Sequence, residues 1–210
     1  MADLSISRDE YEGESLDVGT IGADPVAAIA QWVSAANAAG EPQPNAMNLA
    51  TVDPAGTPSV RTVLLKGVDS GLLFFTNYTS AKAADLAANP RAAVNLTWLN
   101  IHRQIRAVGD VAKLSPLESD EYFASRPRGS QIAAAASDQS SPLPDRGALE
   151  AAYGDVAEQH AGPIPRPEHW GGYRLVPDRI EFWQGRRNRM HDRLQYTRTR
   201  DGWKAQRLAP

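Results

Sequence analysis

Ala46-Met-Asn-Leu-Ala-Thr-Val-Asp-Pro-Ala-Gly-Thr-Pro-Ser-Val-Arg-Thr-Val-Leu-Leu-Lys-Gly-Val-Asp-Ser-Gly-Leu-Leu-Phe-Phe-Thr-Asn77 decides the architecture. Its apolar and β-branched residues fall into three extended runs, Met47 to Val52, Ser59 to Lys66 and Leu72 to Thr76. Turn signals at Asp53-Pro-Ala-Gly56 and Asp69-Ser-Gly71 separate them. Two hairpins in succession predict an antiparallel meander.

On the N-terminal side, Asp24-Pro25 supplies an N-cap and an N1 proline, and Val26, Ile29, Ala30, Trp32 and Val33 recur at helical spacing up to Ala39-Gly40. Residues 1–23 are polar and aperiodic, which predicts a flexible arm ahead of a single domain spanning 24–210. On the C-terminal side, Ser80 to Asn89 reads as a helix stopped by Pro90, followed by strands at Ala92 to Leu99 and Gln104 to Leu114. Ser115-Pro-Leu-Glu118 is a capping box that opens a helix ending near Ser125. Ser130 to Ser137 and Gly147 to His160 are further short helices, and Pro163, Pro165 and Pro167 stiffen a connector. Strands return at Tyr173 to Leu175, Arg179 to Trp183, Met190 to Thr197 and Trp203 to Leu208. The fold class is mainly β with short helices (α+β), and this many antiparallel strands favour a barrel, which removes sheet edges.

The 210 residues are 42% hydrophobic, enough for one substantial core. With 22 Lys and Arg against 25 Asp and Glu, the net charge of -3 argues against a non-specific grip on nucleic acid or an anionic membrane. Cysteine is absent, which removes disulfides, thiolate metal sites and thiol nucleophiles, and the four histidines lack metal-ligand spacing. The polar start of the chain and the lack of any long apolar run predict a cytoplasmic protein.

Four groups of residues could carry chemistry. Arg61 and Lys66 lie an odd number of residues apart on one strand and should point to opposite sides, either toward different groups or simply into solvent. Thr79-Ser80-Ala-Lys82 opens a helix after a strand; hydroxyls, free N–H groups and a lysine make either a phosphate cradle or an ordinary cap with a surface lysine. Tyr122 and Arg126 share a helix face, and Ser130 would cap the next helix, so the three could converge on an anion or form a plain corner, with Arg128 the structural arginine. Glu181-Phe-Trp-Gln-Gly-Arg-Arg-Asn-Arg-Met-His191, followed by Asp192-Arg193, is strongly basic. If extended, it places Arg189, His191 and Arg193 on one face, around an anionic or polar ligand or as a solvated edge. Neither G-x-x-x-x-G-K-[ST] nor a strand-linked G-x-G-x-x-G occurs.

Arg61-Thr-Val-Leu-Leu-Lys66, Phe75-Thr-Asn77 with Ser80-x-Lys82, Arg103-Gln104, Tyr122-Phe-x-Ser-Arg-Pro-Arg-x-Ser-Gln131, Gln139-Ser-Ser141, Trp170-Gly-Gly-Tyr-Arg174, Glu181-Phe-Trp-Gln-Gly185, Arg189-Met-His-Asp-Arg193 and Arg207-Leu-Ala-Pro210 occur in this order. Together they resemble the pyridoxamine (pyridoxine) 5'-phosphate oxidase family. The resemblance implies an FMN-binding split β-barrel and a homodimer with FMN at the subunit interface. The implied reaction oxidises pyridoxine or pyridoxamine 5'-phosphate to pyridoxal 5'-phosphate, with O2 as acceptor and H2O2, and NH3 from the amine, released. Carried over by motif, Arg61, Thr62, Val63, Leu64, Leu65, Lys66, Phe75, Thr76, Lys82, Gln104, Gln139, Ser140, Trp183 and Arg193 would contact FMN. Lys66, Tyr122, Arg126 and Ser130 would hold the substrate phosphate, with Arg189 and His191 as catalytic residues over the pyridine ring. Arg8 and Tyr11 are similar to a lid element of the family. Ala81 stands where many relatives have arginine, implying a missing phosphate contact or one supplied by Arg61 or a second subunit.

Two other functions share parts of this pattern. A same-fold FMN oxidase of another reduced aromatic metabolite, such as a dihydrophenazine, would keep the flavin residues without needing a substrate-phosphate set. A non-catalytic binder of FMN or pyridoxal phosphate would keep both sets and release no peroxide.

Overall fold

Burial alternates along β1 (Ala46–Val52): Met47, Leu49 and Thr51 point inward while Asn48 lies exposed, as a strand with one covered face requires. The structure, a computed structural model, describes residues 10–210. β1 pairs antiparallel with β2 (Pro58–Leu64) in the expected hairpin, whose turn is fixed by the Asp53 carboxylate accepting from the N–H groups of Ala55 and Thr57. The second expected hairpin is different. β2 does not continue beside β4 (Leu72–Asn77); the two-residue β3 (Gly67–Val68) pairs with it instead.

The reason lies in the chain between them. Leu65 still donates to Asn45 O at 2.9 Å, on the β1 side, while Lys66 donates to Leu73 O at 2.8 Å, on the β4 side. The nine-stranded sheet runs β2-β1-β5-β6-β7-β4-β3, with β5 (Arg91–Trp98), β6 (Arg103–Lys113) and β7 (Trp170–Gln184) central. Its two end strands are therefore consecutive in sequence, so the sheet curls on itself, as expected of a barrel. β8 (Asp192–Thr199) pairs with β7, and β9 (Gly202–Arg207) with β8.

The two strands expected at Tyr173 to Leu175 and Arg179 to Trp183 are parts of β7, a single strand of 15 residues. Pro177 is tolerated inside it because it sits beside a register shift at Val108/Gly109, where the ladder is already interrupted. A Cβ on Gly109 would lie 2.0 Å from Val176 O, so only glycine permits this crossing. Along one edge β7 meets β6; along the other, residues 170–175 meet β4 and residues 179–184 meet β8.

Helices close the ends. α1 (Val18–Ile21) begins at Asp17, whose carboxylate accepts from Thr20 N, and α2 (Pro25–Ala38) packs Ile29 and Trp32 onto the barrel. Trp32 meets Phe182 edge-on with ring centroids 5.0 Å apart. α3 (Ala81–Ala88) follows β4 directly. α4 (Pro116–Ser125) carries the predicted capping box between Ser115 and Glu118. α5 (Arg128–Ala136) packs with Phe123, Ile164 and Trp170 in a second, smaller core, and α6 (Arg146–Gln159) packs Val156 and Ala157 against it without fully burying any residue. Ser130 does not cap α5: Pro127 occupies that position, and its fixed φ starts the helix at Arg128, so Ser130 lies in the first turn.

Residues 10–23 depart from the loose-arm expectation. Leu16 and Ile21 are buried in the main core, and Leu16 N donates to Asp192 Oδ2 at 3.1 Å. Arg8 lies outside the described residues. Leu16→Ala should cost about 2 kcal/mol, the low end for a buried leucine, because its segment can also fray locally. Val18→Ala, at a position 48% exposed, should cost little. Chemical denaturation of both variants tests this: equal midpoints would restore the loose arm.

Candidate active site

Thr76, at the end of β4, is buried, and its Oγ1 donates to Gln139 Oε1 at 2.9 Å. The Lys82 ammonium, 8% exposed, reaches the same Gln139 oxygen at 2.7 Å, Thr76 Oγ1 at 3.2 Å and Ser80 Oγ at 3.3 Å. All three partners are neutral. Burial, and after it the charge of Arg61, push the Lys82 ammonium below its ordinary value. Ser140 Oγ accepts from Ala81 N at 3.3 Å, which puts a hydroxyl at the N-terminus of α3. Ser140 holds φ +78°, a left-handed conformation that is costly for serine and clusters at functional positions. Lys82 is thus no surface lysine. Thr76, Lys82, Gln139, Ser140 and Arg61 converge on a cationic, hydroxyl-rich seat suited to a phosphate.

Arg61 points inward and Lys66 outward, as their parity predicts. Arg61 donates to Thr51 Oγ1 at 2.5 Å and Ser59 Oγ at 2.7 Å. In the same segment Thr62 and Leu64 are exposed, Val63 is partly covered and Leu65 is buried.

The second group adjoins the first. Phe75 stacks on Tyr122 with centroids 3.8 Å apart, and the Arg126 guanidinium lies 4.5 Å over the Trp170 ring. A Cβ on Gly172 would stand 2.7 Å from the Phe75 ring, so the Gly-Gly pair leaves room for this stack. Arg128 is the structural arginine, donating to Gly162 O and His160 O. Arg126 keeps Nη1 buried without a partner among the described residues. It lines a cavity of about 510 Å³ together with Asn77, Ser137, Gln139, Tyr153 and Trp170. One cavity therefore touches both the Lys82 seat, through Gln139, and the free guanidinium edge.

The third group lies elsewhere. Gln104, Trp183 and Arg193 are register partners across β6, β7 and β8, and the His191 ring sits 4.7 Å from that of Trp183. The single-strand reading of Arg189, His191 and Arg193 does not hold. Residues 187–189 form a 3-10 turn in which Asn188 and Arg189 take φ +55° and +58°, and β8 starts only at Asp192. Arg193 donates to the buried Glu181 from Nε at 2.8 Å, and Glu181 also accepts from Arg106. Tyr11 packs against His102 at 4.4 Å and His191 at 5.6 Å, with Glu12 paired to Arg187 and Gly13 O accepting from Arg186. The acidic segment after Tyr11 thereby straps the basic loop, leaving Arg189 exposed.

His191 Nδ1 accepts from the Arg186 backbone N–H at 3.1 Å, so the neutral ring carries its proton on Nε2. Burial, and after it the Arg189 charge, hold His191 below its ordinary 6.5.

Thr76 pairs with Gly171 near the start of β7, whereas Trp183 stands near its end. About 40 Å of strand path separates them. One chain brings each set together but not the two sets to each other. Two contributors carried no motif: Thr51 and Asp85 are far apart in sequence and meet only through packing. Glu181 lies within a quoted motif, and as an acid inside an apolar strand it needs a cationic partner.

Residues 33–160 match the family described as Pyridoxamine 5'-phosphate oxidase, and residues 170–210 match the Pyridoxine 5'-phosphate oxidase C-terminal dimerisation region. The chain belongs to the pyridoxamine 5'-phosphate oxidase family. It is 50% identical over 212 residues to the pyridoxine/pyridoxamine 5'-phosphate oxidase of Ralstonia pickettii, covering 100% of both chains. To the protein of that name from Burkholderia lata it is 52% identical over 214 residues, covering 100% of this chain and 99% of the other. Among solved structures, PhzG of Burkholderia lata 383, in complex with tetrahydrophenazine-1-carboxylic acid, superposes with a TM-score of 0.90 at 30% identity, covering 96% of this chain and 100% of that one. An FMN-binding, pyridoxamine 5'-phosphate oxidase-related protein of Nostoc punctiforme superposes at 0.68 with 21% identity, over 89% of this chain and 95% of that one, and shows the same fold. Membership in the oxidase family makes the chain an oxidoreductase.

With its folded pKa below 6.5, His191 favours a neutral native form. The native state should therefore gain stability as pH rises from that lowered pKa to about 6.5, and lose it as pH falls. In an NMR titration Arg189→Ala should move the His191 midpoint upward yet leave it under 6.5, because burial is the larger cause. An unmoved midpoint contradicts the assigned role of Arg189.

Proposed function

We propose that the chain is an FMN-dependent oxidase that converts pyridoxine and pyridoxamine 5'-phosphates to pyridoxal 5'-phosphate with O2 as acceptor. The observation that carries this reading is one cavity that reaches two anion seats: Gln139, which accepts from the buried Lys82 ammonium, and Arg126, whose Nη1 has no partner among the described residues, both line it. Each suits a phosphate ester, and cofactor and substrate each bring one.

Lys82, Arg61, Thr76, Gln139, Ser140 and Phe75 hold the cofactor in one subunit. Gln104, Trp183 and Arg193 come from a second copy, since one chain separates these sets along β7. The C-terminal region that carries Trp183 and Arg193 is the part that matches a dimerisation region. FMN, once bound, supplies two-electron oxidation and reaction with O2. The chain's own residues bind and orient. Arg126, Tyr122, Ser130 and Lys66 seat the substrate phosphate, while Arg189 and His191 cover its ring from the second copy, with Tyr11 closing over them. With Nδ1 already bonded, His191 presents Nε2–H and acts as a hydrogen-bond donor near neutral pH.

PhzG, solved with a phenazine carboxylate, supports a second reading, an oxidase of a reduced aromatic acid. Identity favours the first: the Burkholderia lata oxidase named for the vitamin phosphates is 52% identical, and PhzG of the same organism 30%.

Anaerobic pyridoxine 5'-phosphate should bleach the flavin absorption of the purified protein, and air should restore it; bleaching by a dihydrophenazine carboxylate alone selects the second reading. Arg126→Ala should lower kcat/KM for the phosphorylated substrate about 10- to 150-fold, the worth of one charge-assisted contact. Oxidation of unphosphorylated pyridoxine should change little.

A further inference from the structure

Lys82 and Arg61 stand close enough for the charge of Arg61 to depress the Lys82 pKa, yet among the described residues Arg61 has an acid beside it and Lys82 has none. That acid is Asp85, one turn after Lys82 on α3. Asp85 Oδ2 accepts from Thr51 Oγ1 at 2.5 Å and lies 3.6 Å from Arg61 Nη2. Thr51, 1% exposed, accepts from Arg61 Nη1 through the same hydroxyl oxygen at 2.5 Å. A hydroxyl has one proton. Because Thr51 gives its proton to Asp85, its lone pairs face Arg61, and the direction of the Arg61–Thr51–Asp85 chain is set by the carboxylate.

We propose that Asp85, acting through Thr51, is a positioning residue that fixes the Arg61 guanidinium beside Lys82, so that the two cations form one seat for the phosphate of FMN. This rests on the FMN reading given above. The helix that delivers the Lys82 ammonium also delivers the carboxylate that aims Arg61, so the two cations move as a unit. Asp85 cannot release Arg61 without leaving the buried Thr51 hydroxyl to reorient. The arrangement also accounts for Ala81: with no cation at that position, the second positive charge comes from β2, and it needs an anchor that a helix-borne arginine would not.

The sign of one measurement separates positioning from simple charge balance. If Asp85 only neutralised Arg61, removing its charge would make the seat more positive and tighten anion binding. Positioning predicts the reverse. Flavin-stripped full-length protein is titrated with FMN and with riboflavin, which lacks the phosphate, following flavin fluorescence. Asp85→Ala should weaken FMN about tenfold, the equivalent of one ordinary hydrogen bond lost at a charged group, and leave riboflavin affinity unchanged. Thr51→Val, nearly isosteric, should reproduce the phosphate-selective loss, which keeps the test decisive if Asp85→Ala folds poorly in a thermal melt. Unchanged or tighter FMN binding in the folded variants, or equal losses for both flavins, overturns the proposal alone. A wild-type protein that binds FMN no better than riboflavin overturns it together with the reading it rests on.

Discussion

A sheet whose first and last strands are joined by two residues has to curl, and the Leu65-Lys66 crossing imposes that constraint here. Leu65 is still bonded on the β1 side and Lys66 already on the β4 side. Curling brings β2 round toward the end of β4 where α3 begins, so Arg61 from one edge of the sheet meets Lys82 from beyond the other. An open sheet in the same strand order would leave these cations at opposite margins. Closure therefore brings these cations together, and the interior side chains Met47, Leu49, Phe74, Ile105 and Phe182 that stabilise the barrel also stabilise their meeting.

The arginines show how a protein of net negative charge can still present positive seats. Most are matched: Arg174 with Asp69 and Glu118, Arg91 with Asp110 and Asp178, Arg193 and Arg106 with Glu181. Such pairs are structural, and the exposed ones contribute little individually. Against this background Lys82 and Arg126 stand out by what they lack. Neither has an acid in contact among the described residues, and burial is the leading cause that lowers both pKa values. Groups held this way in a cavity mark places where a ligand completes the electrostatics.

Local signals carried much of the fold. The Ser115 capping box, the Asp24-Pro25 start and the Asp53 turn each act within four residues, and each element formed where they predicted. Features that depend on distant partners were not legible. The expected strands at Tyr173 to Leu175 and Arg179 to Trp183 leave a gap around Pro177, yet β7 runs through it because Gly109, remote in sequence, allows Val176 to approach. Leu16 and Ile21 lie in a polar segment whose average composition hid two core residues. The site shows the same division. Tyr122 and Arg126 both pack on Trp170, but Arg126 is the extended C-cap of α4 and not a member of the helix face their spacing predicted; Asn188 and Arg189 likewise take left-handed φ and cancel the strand-face reading of the basic cluster. Thr51 and Asp85 gave no sequence signal at all, since neither sits in a motif and only the barrel makes them neighbours.

The buried polar atoms without partners among the described residues show where the single chain is unfinished. They are Arg126 Nη1, Asn95 Oδ1 and Tyr196 Oη. Native proteins rarely leave such atoms unbonded, because each costs about 1–3 kcal/mol. Tyr196 sits in the barrel core against Phe182. The other two line cavities. Arg126 faces the one it shares with Gln139, and Asn95 lies on the outer face of the sheet, in a groove with Val60, Ala50, Arg106 and Glu181. Val60 is 68% exposed there, an apolar residue on an edge strand. A phosphate in the first cavity and a second copy over the second face would satisfy one orphan and cover the other. The same second copy would bring Gln104, Trp183 and Arg193 to the Lys82 seat, which the length of β7 denies them within one chain. On the proposed reading, binding of cofactor and pairing of subunits would be two parts of one completion, and each would strengthen the other, since each would supply what the other lacks.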